Sequence, residues 1–152
     1  MPAPHRALRG AGPSRTIRAL RRGSIALALV TVAAILLLTL SPLGTGTDGR
    51  CAFGMPCALG HLGSFAVLGV AIGGWYATSE AARRSPVRVL LMTLLALWLF
   101  AALDEIAQPR VGRDANFEDW ALDMAGAVIG MFAGSAALRA VLGVRAAGRD
   151  RG

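Results

Sequence analysis

The chain predicts an all-α, polytopic membrane protein with four transmembrane helices and both termini in the cytoplasm. Three observations lead there. Hydrophobic residues make up 55% of the 152, and mean hydropathy is +0.55, too apolar for an ordinary soluble domain of this size. The apolar residues are gathered into four separate runs rather than spread evenly. The basic residues, every one an arginine, are distributed very unevenly between those runs.

The first run extends from about Ser24 to Leu40 and stops before Pro42. The second, from Pro56 to Ala77, contains one titratable residue, His61. The third runs from Pro86 or Val87 to Leu103 and the fourth from Asp119 to Leu142. Each approaches the roughly 20 residues that a helix needs to cross about 30 Å of hydrocarbon, the first and third being at the short end. Neither strand alternation nor a fixed-period repeat is present. Four core helices of a soluble bundle are the alternative, but so short a chain would then have little polar surface. Residues 1–22, rich in Arg, Pro and Gly, read as a disordered basic tail drawn to anionic lipid, and 143–152 as a second basic tail. The leader and first run also have the layout of a signal or transit peptide. Leu40-Ser41-Pro42-Leu43-Gly44, however, offers no small-x-small cleavage pattern.

Proline marks the helix ends. Pro56 and Pro86 stand where a first-turn proline is tolerated, and Pro109 disfavours helix at Gln108. Trp75 and Tyr76 are expected at the inner interface, and Trp98, Phe117 and Trp120 toward the outer one, as an aromatic belt. Arginine sets the orientation. Arg6, Arg9, Arg15, Arg18, Arg21 and Arg22 precede the first run; Arg83, Arg84 and Arg88 separate the second and third; Arg139, Arg145, Arg149 and Arg151 close the fourth. All fall on one side if four segments span, leaving Arg50, Arg110 and Arg113 opposite. The positive-inside rule therefore predicts cytoplasmic termini. It also sends Asp48, Asp104, Glu105, Asp114, Glu118, Asp119 and Asp123 to the outer face.

The pI of about 11.4 would point to nucleic acid in a soluble domain, but that requires an arginine-lined face on a packed core. Here the arginines lie between apolar runs, so no nucleic-acid partner is expected; the partner is the lipid bilayer. Nothing in the pattern sets an oligomeric state.

Chemistry concentrates where the third run ends and the fourth begins. Asp104 and Gln108 are four apart and Glu105 and Gln108 three apart, so all three can crowd one side of a helical turn. Asp119 and Asp123 share a stripe that continues through Gly126, Gly130 and Gly134, the small-residue spacing that lets membrane helices approach closely. Both aspartates are therefore expected to face the bundle. His61 lies about one turn inside the second helix. The topology brings His61, Asp104, Glu105, Gln108, Arg113, Asp119 and Asp123 to the same membrane side as a candidate ligand-binding pocket. Plainer roles exist for each. A membrane histidine often serves as an interhelical hydrogen-bonding group, Asp104 and Glu105 can be solvated helix-end charges, and Asp119 suits a helix N-terminus. Asp123, one turn deeper, must pair with Arg113 or His61 or keep its proton. Arg110, Asp114 and Glu118 belong to a solvated loop.

Cys51 and Cys57 are candidates for a short disulfide in an oxidising exterior, with free thiols as the alternative. Two cysteines and two histidines are too few for a zinc signature, and nothing in the spacing fixes a Mg or Ca geometry, so no metal is expected. Phosphate loop, nucleophile elbow, triad spacing and cofactor signature are all missing.

At these residues the chain resembles the VanZ-like family of small bacterial membrane proteins. His61, Phe65, Leu68 and Gly69 match a His-aromatic-x-x-Tyr-x-x-Leu-Gly block. Asp104-Glu105-x-x-Gln108, Arg113, Asp119 and Gly126 match a later Asp-Glu-x-x-Gln, Arg, Asp-x-x-x-Asn-x-x-Gly block, so the likeness covers about residues 57–130. Cys57 and Ala58 replace an Asp-Lys pair, Phe65 replaces tyrosine, Asp123 replaces asparagine, and the Gln108–Arg113 interval is one residue shorter. The resemblance implies a cell-envelope protein linked to resistance to the glycopeptide antibiotic teicoplanin. The ligand it implies is a lipid headgroup, a wall precursor or a lipophilic antibiotic. The rival expectation is an intramembrane enzyme for a lipid-linked phosphate, with His61 as acid or base and Arg113 on phosphate.

Overall fold

A computed structural model of the chain describes residues 14–41 and 56–149, with 144–149 as backbone only. Its helices are α1 (Arg15–Thr39), α2 (Cys57–Thr78), α3 (Glu80–Arg84), α4 (Pro86–Ala107) and α5 (Phe117–Arg149). Four of these are long and apolar enough to cross a membrane, the make-up of a multi-pass membrane protein, with the third span running from Pro86 through Val111. Pro42, Cys51 and the tail before Ser14 lie outside the described residues.

The helices overrun the apolar segments at both ends of the chain. α1 starts at Arg15, not Ser24, with the Ser14 hydroxyl accepting from the Ile17 N–H at 3.3 Å. A capping serine followed by good helix formers is sufficient to extend a helix into water. Arg15, Arg18, Arg21 and Arg22 are consequently helical, which corrects the disordered reading of that stretch. α5 likewise continues past Leu142 to Arg149, so the last part of the chain is not simply a tail. Hydropathy marks what sits in hydrocarbon; the backbone ladder need not stop there.

α2 ends where Thr78 donates its hydroxyl proton to the Gly74 carbonyl at 2.9 Å and Ser79 turns extended. The five-residue α3 was not expected from the sequence. It is held by Glu80, which pairs with Arg83 and, at 3.4 Å, with Arg84. Hydrogen bonding from Arg83, helped by Arg84, keeps the Glu80 carboxyl below the usual carboxylate range. Pro86 opens α4 as expected, and the Tyr76 hydroxyl donates to its carbonyl at 3.0 Å. α4 gives way at Gln108 to a 3-10 turn containing Pro109, and Gly112 ends it at φ 79°. That left-handed conformation suits glycine.

α2 and α5 form the most extensive helix pair, α1 packs on α2, and the α4–α5 contact is much sparser. The α2–α5 seam is built from glycine on both sides. A Cβ on Gly126, Gly130 or Gly134 would strike the backbone of Leu62, Ala66 or Val70, and one on Gly69 or Gly73 would strike Ala127 or Met131. With backbones this close, Ser135 donates its hydroxyl proton to the Gly73 carbonyl at 3.1 Å. The hydrophobic core comprises Ile35, Phe65, Leu68, Leu97, Ala101 and Ala127, with the Phe65 and Phe100 rings 5.6 Å apart. Leu29, Val30, Leu37, Leu91, Leu103, Ile129 and Phe132 point outward and exposed. So much outward apolar surface belongs against lipid rather than water. Between α1, α2 and α4 lies a lateral apolar groove of about 590 Å³, with Val32, Ile72 and Met92 in its walls and Arg88 and Trp75 toward one end.

Candidate functional site

The end of α1, the start of α2, the end of α4 and the start of α5 meet at one end of the bundle, and polar side chains fill the junction. All seven sequence-predicted residues are at this junction. His61 on α2 and Asp123 on α5 are both buried, and His61 Nδ1 lies 3.0 Å from Asp123 Oδ1. Asp119, one turn nearer the helix start, places Oδ2 3.8 Å from His61 Nε2. Asp123 thus takes the first of the two partners expected for it, the histidine. Arg113 reaches in from the loop, with Nη2 3.5 Å from His61 Nε2 and Nη1 3.5 Å from the Thr39 carbonyl oxygen.

α4 supplies the other half. Glu105 accepts from Gln108 Nε2 at 2.8 Å and from the Asn116 backbone N–H. The i, i+3 crowding read from the sequence is therefore a hydrogen bond, and Glu105 also ties α4 to the approach of α5. Asn116 in turn caps α5, accepting from the Glu118 N–H at 3.0 Å. Asp104 turns toward α1 and accepts from the Thr39 hydroxyl at 2.7 Å. Asp104 and Glu105 are 2% and 5% exposed, so solvated helix-end charges they are not. Arg110, Asp114 and Glu118 are exposed, as expected, but only Asp114 lies in the loop; Arg110 is in the 3-10 turn and Glu118 in the first turn of α5.

Thr39 and Asn116 were missed at the sequence level. The Thr39 hydroxyl also lies 2.8 Å from the Ile35 carbonyl oxygen, so its one proton is shared between that acceptor and Asp104. Bonding within its own helix is the usual way a threonine satisfies itself in an apolar segment, so its identity gave no signal of a distant partner. Asn116 stands just before α5, where a capping residue belongs, and that was legible.

Acceptors outnumber donors. Asp104 Oδ2, Gln108 Oε1 and Asp123 Oδ2 are buried with no hydrogen-bond partner. Burial of such atoms costs roughly 1–3 kcal/mol each. Among the described residues, four carboxylates face one guanidinium and one imidazole, so the site is built to receive hydrogen-bond donors or positive charge. One ligand atom each from His61, Glu105 and Asp123 lies within 4.8 Å of the others, a spacing that could hold a metal ion. The sequence offered no such geometry, because the three residues come from three different helices.

Cys57, at the start of α2 near this end, is disulfide-bonded rather than a free thiol. Trp98, Phe117 and Trp120 form a small aromatic group here, with Trp98 edge-on to Trp120 at 6.2 Å and Phe117 5.1 Å from Trp120.

No family model matches the chain, and no curated protein or solved structure matches it.

Proposed function

We propose that this is a VanZ-like protein of the bacterial cell membrane, with both termini cytoplasmic and the polar cluster beneath the outer surface. There it binds the head of an amphiphile: a lipid headgroup, a lipid-linked wall precursor or a lipophilic glycopeptide such as teicoplanin. The observation that carries the reading is the convergence of seven polar side chains from three helices and a loop, with three buried acceptors still lacking donors. Charged groups are expensive at membrane depth and mark binding or transport paths by default. Sugar hydroxyls, amides and ammonium groups supply the missing donors, and Arg113 suits a phosphate or carboxylate on the same ligand. A wall precursor or a glycopeptide combines these features in one molecule.

Deleting the gene and measuring susceptibility to a panel of lipophilic wall-active antibiotics tests this. Increased susceptibility to teicoplanin-like compounds is expected, restored by the wild-type gene but not by Asp123→Leu. Unchanged susceptibility across the panel would sink the proposal.

One observation favours a second reading, an enzyme acting on a lipid-linked phosphate. Asp123 engages one imidazole nitrogen of His61 while the other faces Arg113. A carboxylate that orients a histidine in this way leaves the second nitrogen to move protons. Turnover of a polyisoprenyl phosphate by the purified protein, abolished by His61→Ala, would decide for it.

A further inference from the structure

We infer that His61, Glu105 and Asp123 form a binding site for a divalent transition cation of the zinc or manganese kind. The inference rests on the reading of this cluster as a ligand site and adds the component that its charge balance lacks.

Geometry comes first. The three residues are all buried, come from α2, α4 and α5, and offer one ligand atom each within 4.8 Å of the others. Metal–nitrogen and metal–oxygen bonds of about 2.0–2.2 Å place ligand atoms at most about 4.3 Å apart, so a small closure of the side chains onto an ion completes the set. Within the set, Asp123 Oδ1 lies 3.0 Å from His61 Nδ1. Glu105 is also held from outside it, gripped by Gln108 and the Asn116 N–H. Such outer hydrogen bonds are what orient metal ligands.

Independent of the clustering, Asp123 is fully buried and its Oδ2 has no partner, and Asp104 Oδ2 and Gln108 Oε1 beside the set are in the same condition. Asp104, Glu105, Asp119 and Asp123 put four carboxylates around Arg113 and His61. A dication offsets that excess, as no further side chain among the described residues of the cluster does. One imidazole nitrogen with two carboxylates favours zinc or manganese over calcium or magnesium, which prefer all-oxygen shells. Three protein ligands leave positions open for a ligand, as at catalytic rather than structural metal sites. With the ion bound, an acidic site gains a point of attachment for the phosphate of a lipid-linked precursor, and Arg113 stands beside it.

The test uses the full-length protein in detergent, stripped with chelator and titrated with Zn²⁺, Mn²⁺ and Mg²⁺ in the absence of any amphiphile. About one Zn²⁺ or Mn²⁺ should be retained per chain, with a rise in unfolding temperature and weaker binding of Mg²⁺. Glu105→Gln and Asp123→Asn should each weaken uptake by about tenfold or more, whereas Asp114→Asn, exposed in the loop before α5, should retain it. Circular dichroism shows whether each variant is folded, and the wild-type titration is decisive even if one is not. Uptake well below one ion per chain with no thermal shift overturns the inference, as does uptake unaffected by both ligand variants. A polyisoprenyl phosphate probe separates the two proposals. Metal uptake without probe binding leaves the ion site standing and counts against the amphiphile. Probe binding to metal-free protein that takes up no ion does the reverse.

Discussion

His61 and Asp123 form a buried pair, each leaning on the other. Each is buried in a helix long and apolar enough to cross a membrane, and the two side chains meet at 3.0 Å. His61→Ala therefore leaves Asp123 stranded, and we expect a loss of about 3–5 kcal/mol in unfolding free energy, measured by chemical denaturation in detergent micelles. Asp123→Asn keeps shape and one acceptor, so it should cost markedly less. Thr39→Val removes the hydroxyl that reaches Asp104 while preserving volume, and a loss of about 1–3 kcal/mol is expected by the same assay. Combining it with Asp104→Asn should cost less than the sum, because the two share one interaction. The sequence marked His61 and Asp123 well, since an ionisable residue in an apolar run has few harmless explanations. It marked Thr39 poorly, since threonine can satisfy its hydroxyl within its own helix.

Among the elements, the α2–α5 seam separates glycines that are required from glycines that merely occur. Gly130 lies against the Ala66 backbone, where a Cβ has no room, while Gly23 on α1 and Gly143 on α5 have nothing within 4 Å of the same position. Gly130→Ala should destabilise by about 1–3 kcal/mol, as overpacking does. Gly23→Ala should be neutral or stabilising by up to about 1 kcal/mol, through helix propensity. Equal effects at the two sites would mean that the seam is not the tight contact described. Half of this contact was legible: Gly126, Gly130 and Gly134 recur every fourth residue, whereas Gly69 and Gly73 became meaningful only once their partner helix was known. Helix ends divide in the same way. Pro86 and Pro109 set boundaries that the structure keeps, but the extensions to Arg15, with its Ser14 cap, and to Arg149 run beyond the apolar segments, where hydropathy is blind.

For the whole molecule, arginine placement predicts an orientation that labelling can test. Ala115 is exposed in the loop before α5 and Arg84 is exposed at the end of α3, at opposite ends of α4. In intact cells Ala115→Cys should react with an impermeant maleimide and Arg84→Cys should not; the reverse pattern would place the cluster beneath the cytoplasmic surface. The closeness of the α2–α5 backbones has one more consequence. That pair cannot slide or part without breaking its glycine contacts, so His61, Asp119 and Asp123 form a fixed jaw. The jaw opposite them is α4, a helix with sparse contact to α5 and little of its apolar surface buried, which with the turn that follows carries Asp104, Glu105 and Gln108. Anything entering from the membrane should therefore pry at α4, and a crosslink from α4 to α5 should shut the door.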